Sequence, residues 1–143
     1  MKQKLVKIKF SLGIPGFEAY QDWNFIPEED APLAQLIFRE NEYIGFVLTR
    51  PESYFPTYLD EIEFDSDSRR VLEIQEDTKL EVWSILCMAD DVMKTTINLK
   101  APLVINLEKQ VGYQLILNEE KYNSKELLFS QQDQKTREER VKG

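Results

Sequence analysis

Histidine is absent from this 143-residue chain. That removes the commonest general base near neutral pH and the commonest metal ligand. Ser-His-Asp and Cys-His nucleophile arrangements are excluded with it. Cysteine is nearly absent: Cys87 stands alone, so no disulfide can form within the chain. A fold held without internal disulfides suits a reducing compartment. Cys87 sits inside an apolar run, where a small core residue is expected and not a reactive thiol. Long apolar runs are missing as well. Nothing approaches the roughly 20 residues that span a bilayer. The opening MKQKLVKIKF is rich in lysine but is not followed by the apolar stretch of a secretory signal. A cytoplasmic location is the expectation.

Phosphate and metal motifs fail on inspection. Gly13-Ile-Pro-Gly16 holds two of the five glycines, but no Lys-Ser or Lys-Thr follows, so it reads as a turn. Asp65-Ser-Asp67-Ser-Arg69-Arg70 opens like a calcium loop, yet Arg70 stands where an EF-hand needs glycine. Asp90-Asp91 and Glu119-Glu120 are adjacent pairs, and neighbours in an extended chain point to opposite faces. No catalytic residue, metal ligand or cofactor is therefore expected. A hydrolase or isomerase working through carboxylates gathered by folding stays open as an alternative.

What is present is β-strand pattern. Val6, Ile8 and Phe10 alternate with Lys7 and Lys9. Ser11–Glu18 reads as a turn or crossing segment. Tyr43–Arg50 is apolar on both faces, as in a central strand. Leu80–Met88 is rich in β-branched and aromatic residues. Leu103–Leu107 and Val111–Leu117 form a candidate hairpin around Glu108-Lys109-Gln110. Glu61–Phe64 alternates briefly, and Ser66–Ile74 has room for one or two helical turns capped by Asp67 or Ser68. Prolines fall mostly between these runs. The expected fold is all-β: one domain over residues 1–129, a closed or nearly closed barrel or roll with short helical turns at most. Residues 130–143 read as a polar tail.

Charge is uneven. The net value is −8, but Ser11–Phe129 carries 23 acidic against 10 basic residues. Phosphate contacts need Lys and Arg, so a body this acidic argues against direct nucleic-acid binding, although barrels often serve single strands. A basic protein partner is the natural complement; the alternative is an acidic surface that only maintains solubility. Glu52–Asp91 holds 12 of the acids against three basic residues. If Ile62 and Phe64 point inward, Glu61, Glu63 and Asp65 share the outer face of one strand, with Asp60 beside them. Tyr54, Phe55, Tyr58 and Phe64 serve equally as interface anchors or core.

Three ordered segments carry a family resemblance. Leu12-Gly-Ile-Pro-Gly-Phe-Glu18 resembles the GLPGFE element of the FliW flagellar assembly factors. Ile44-Gly-Phe-Val-Leu-Thr-Arg-Pro51 with Tyr54-Phe-Pro-Thr-Tyr58 resembles their central strand and aromatic turn. Thr96-Ile-Asn-Leu-Lys-Ala-Pro-Leu-Val-Ile-Asn106, then Gly112-Tyr-Gln-Leu-Ile-Leu117, resembles their final motif. The set spans roughly residues 5–129. Leu36-Ile37-Phe38 departs from the family's Leu-Gln-Ser-like triplet, and the tail after Phe129 lies outside the shared pattern. The resemblance implies a non-enzymatic cytoplasmic protein that binds flagellin. It also implies binding of CsrA, a small basic RNA-binding dimer that represses flagellin messenger RNA. Candidate partner-binding residues are Asp60, Glu61, Glu63 and Asp65, and within the motif Asn98, Pro102, Asn106 and Gln114. For Asn98 and Asn106 the favoured reading is a turn or strand end where they satisfy backbone groups. Gln114, expected in mid-strand, could pair across strands or meet a partner.

Overall fold

The computed structural model describes residues 4–118 and 120–129. Among these, nine strands join one sheet: β1 (Val6–Lys9), β2 (Asp22–Pro27), β3 (Leu33–Phe38), β4 (Gly45–Thr49), β5 (Glu81–Cys87), β6 (Thr96–Ile97), β7 (Leu103–Asn106), β8 (Val111–Gln114) and β9 (Glu126–Leu127). Seven of them, in the order β4-β3-β2-β1-β8-β7-β5, close on themselves through β4–β5 pairing. The expected barrel is closed. Every junction is antiparallel except β1–β8, a parallel seam that meets at Lys9 and Val111.

Period-two alternation fills the barrel. Ile8, Trp23, Phe25, Ala34, Leu36, Phe38, Leu48, Trp83, Leu103 and Ile105, drawn from alternate positions of six strands, form one buried cluster with Phe10, just past β1. Each large side chain fully buried contributes roughly 1.5–3 kcal/mol relative to exposure. Ring pairs fix its interior: Phe25 meets Trp83 edge-on at 5.3 Å, and Trp23 lies 5.5 Å from Phe38. At one end Arg50 stacks 4.4 Å over the Trp83 ring and reaches Glu81 at 3.5 Å, while the Trp83 indole N–H donates to Glu81 at 3.0 Å.

The sequence pattern of β1, β4, β5 and the β7–β8 hairpin matches the structure; β2 and β3 it passed over. Their signal was legible: Trp23 and Phe25 are fully buried, and Ala34, Leu36 and Phe38 alternate with Leu33, Gln35 and Ile37. In Leu36-Ile37-Phe38, the departure from the family triplet, Leu36 and Phe38 thus supply barrel core, and Ile37 between them is half-buried on the other face.

Other expectations need correction. Glu61–Phe64 is not a strand. Tyr58–Glu61 is a 3-10 turn, and Ile62–Phe64 is an irregular crossing outside the barrel. The helix α1 (Ser66–Val71) is capped by Asp65, not by Asp67 or Ser68. An N-cap needs an extended residue with a short acceptor side chain three before a free N–H, and Asp65 meets that condition at Ser68. Cys87 is exposed, because it ends β5 opposite Thr96, past the buried stretch of that strand. Gln114 ends β8 and is not mid-strand. The polar tail 130–143 and Glu119 lie outside the described residues.

Gly112 illustrates how tightly the barrel is filled. A Cβ there would stand 2.5 Å from the Phe10 ring. Gly112→Ala should cost about 1–3 kcal/mol through overpacking. Urea unfolding checks this; an unchanged midpoint would mean that the ring moves freely.

Candidate partner-binding groove

The sheet is covered on its outside along β5, β7 and β8. Residues opposite to the barrel-filling set, namely Val104 of β7 with Leu115 just past β8, pack against Leu72, Ile62, Phe64 and Ile74. The segment 62–74 is therefore a strap laid across the barrel wall. A neighbouring cluster of Tyr58, Ile97, Leu99, Leu117 and Leu128 extends this outer layer. The aromatics left open by the sequence are resolved in part: Tyr58 is core at 2% exposure, and Tyr54 is exposed against Phe129.

Side chains from the motif that carries the resemblance pin the strap and its neighbours. Asn106 is buried; its amide donates to the Leu72 carbonyl at 2.8 Å, and its oxygen accepts from the Lys109 N–H. Asn98 accepts from the Ala101 N–H at 3.0 Å, which folds the turn between β6 and β7. The Gln114 amide donates to the Ala101 carbonyl at 2.9 Å, and the Pro102 carbonyl accepts from Leu115. The Tyr58 hydroxyl donates to the Leu99 carbonyl at 2.6 Å. Burial pushes the Tyr58 phenol far above its usual range, so it stays a donor at every ordinary pH. Asn98, Pro102, Asn106 and Gln114 thus direct these polar groups to the chain's own backbone.

The acidic candidates divide differently. Glu61, Glu63 and Asp65 line one groove of about 410 Å³ with Phe64, Tyr113, Leu115, Ile116, Leu117 and Asn118. Asp60 is exposed outside that lining. Glu61 is held 2.6 Å from Lys121, which also lies 5.3 Å from the Tyr122 ring. Asp65 accepts from the Ser68 N–H at 2.8 Å. Donation by the Ser68 backbone and side chain holds its carboxyl below the usual carboxylate range. Glu63 is exposed and makes no ion pair among the described residues. The three carboxylates come together as expected, but by a crossing strap and a cap, not along one strand face. Tyr113 and Ile116 join this lining, and Lys121 enters only as the partner of Glu61. Nothing in the run Leu115-Ile116-Leu117 marks Ile116 in sequence; only the fold leaves it 57% exposed.

Fold and groove together define a small closed β-barrel with an acid-walled cleft between its outer strap and strand β8. Comparison with known proteins gives the family. The model for the family described as FliW protein matches residues 1–128. The flagellar assembly factor FliW of Geobacillus kaustophilus is 41% identical over 122 residues, 85% of this chain and 83% of that protein. Its counterpart in Anoxybacillus flavithermus is 37% identical over 126 residues, covering 88% and 86%. A crystal structure of the flagellar assembly factor FliW superposes with a TM-score of 0.77 at 37% identity, covering 87% of this chain and 86% of the other. The chain belongs to the FliW family of flagellar assembly factors.

Two substitutions test the scaffold. Tyr58→Phe leaves the buried Leu99 carbonyl without its donor and should cost about 1–2 kcal/mol in urea unfolding. Asp65→Asn keeps a capping acceptor but removes the titrating carboxyl. The folded-state value of Asp65 is depressed, so its contribution is present above the ordinary carboxylate range. It is lost as pH falls through the folded value. Thermal melts from about pH 7 down to about pH 3 should show a shallower acid-side loss in the variant than in the native protein.

Proposed function

We propose that this chain is a cytoplasmic, non-enzymatic binding protein that holds flagellin and the translational repressor CsrA. Holding CsrA relieves repression of flagellin messenger RNA; accumulated flagellin takes the binding protein away and repression returns. Family membership over residues 1–128 carries this reading. The acid-walled groove supports it, since an acidic surface attracts a basic RNA-binding dimer and turns RNA away. No helix among the described residues is long and apolar enough to cross a membrane, which is compatible with a cytoplasmic place of work.

In this proposal Asp60, Glu61, Glu63 and Asp65 supply the attracting field. Asn98, Pro102, Asn106 and Gln114 contribute by shaping the wall against which a partner rests. Residues 1–129 are the binding domain and 130–143 a polar extension. Two ligands on one small protein give the switch its form, a coupling between two binding equilibria.

Titration calorimetry with flagellin and CsrA, separately and then in sequence, tests the proposal. Loss of CsrA binding after saturation with flagellin is the expected result; binding of neither overturns the assignment. Glu63→Lys isolates the electrostatic part, because Glu61 is tied to Lys121 and Asp65 to its helix. At low salt it should slow CsrA association roughly three- to tenfold, with little change in urea midpoint. Stopped-flow rates equal to those of the native protein would remove Glu63 from the recognition surface.

A further inference from the structure

The groove is lined by Tyr113 and by residues 115–118, the end of β8 and its continuation, and this stretch has one open edge. Strand β1 meets β8 at a single pair, Lys9 and Val111, because the chain turns away at Ser11–Gly13, where the Gly13 N–H bonds back to Phe10. Beyond Val111, that side of β8 loses its neighbour. The hydrogen bonds on the other side show which groups are affected. Leu115 donates to Pro102 and Leu117 to Lys100, both toward β7 and the turn before it. Alternation then turns the N–H and C=O of Gln114 and Ile116 to the opposite side. There they meet no backbone partner among the described residues.

An unpaired edge of this kind is a template for an added strand. Its surroundings select the occupant. Phe64, Tyr113, Leu115 and Leu117 give the groove apolar contact, and Glu63 and Asp65 stand on the facing wall. An extended segment presents its side chains alternately, so apolar residues at every second position would meet the floor and basic residues the acidic rim. We propose that the groove binds an extended segment of alternating basic and apolar residues as an added strand along Gln114–Ile116. The proposal rests on the reading of this chain as a partner-binding protein, and specifies how its partner segment is held.

The probe is a fluorescein-labelled peptide of about eight alternating lysines and valines, with two derivatives N-methylated at alternate residues, one on each edge of the extended peptide. Anisotropy titration should show binding by the parent peptide and a loss of at least about tenfold for one methylated form alone, since a single edge faces the protein. Amide exchange at Gln114 and Ile116 should slow when the parent binds. Equal affinities for both methylated forms, or unchanged exchange at those two amides, overturn the proposal. So does a matching glutamate–valine peptide that binds equally well. Sedimentation that shows a dimer lost in Ile116→Pro would assign the edge to a second copy and overturn it too. Peptides that fail while flagellin and CsrA still bind remove strand addition but not the proposed function. An edge-selective peptide with no binding of either protein removes the partner assignment and keeps the groove.

Discussion

Strand β5 is hydrogen-bonded along both edges, and the rest of the molecule depends on that. One edge takes β4 through Thr49–Ser84, Leu48–Ile85 and Val47–Leu86. The other takes β7 at Glu81–Trp83 and then β6 at Leu86 and Cys87. Without the first set the sheet would stay open, with β4 and β5 both presenting free edges. Without the second, the turn 98–102 would have nothing to bridge. Because β5 changes partner midway, the chain between β6 and β7 must leave the sheet and return. Asn98, Ala101, Pro102 and Gln114 are the residues whose hydrogen bonds make that detour.

Closure has a second consequence. A barrel of seven strands needs only one face of each strand for its interior. The outer faces of β5, β7 and β8 remain apolar, and the strap 62–74 with the 3-10 turn before it covers them. The acidic residues of this stretch lie on the outside of the cover. Ile62, Phe64 and Leu72 point into the sheet, which leaves Glu61, Glu63 and Asp65 at the rim of the groove. Acidity and packing are thus two faces of one segment.

The motif that carried the family resemblance therefore has a physical role of its own. Asn106 ties the strap to β7 through the Leu72 carbonyl, across 34 positions of sequence. Tyr58 ties the 3-10 turn to the Leu99 carbonyl across 41. Buried carbonyls need donors, and each unmet one costs about 1–3 kcal/mol. Side chains that meet such carbonyls at long range hold the layout of the outer layer, and with it the shape of the groove.

The sequence by itself determined the strand-rich character, the lack of histidine chemistry, the acidity of Glu52–Asp91 and the family, because these follow from composition, period-two alternation and ordered motifs. It also contained β2 and β3, whose Trp23, Phe25, Leu36 and Phe38 alternate plainly, although their flanking prolines obscured the pattern. Tertiary structure alone decided three things. It placed the acids on a strap and not on a strand, since the brief alternation at Glu61–Phe64 is equally served by a chain crossing an apolar wall. It exposed Cys87, since a strand's end leaves the core even when its residues are apolar. And it left the edge at Gln114 and Ile116 unpaired, because whether a strand has a neighbour depends on where another segment turns away, here at Ser11–Gly13, about a hundred positions earlier.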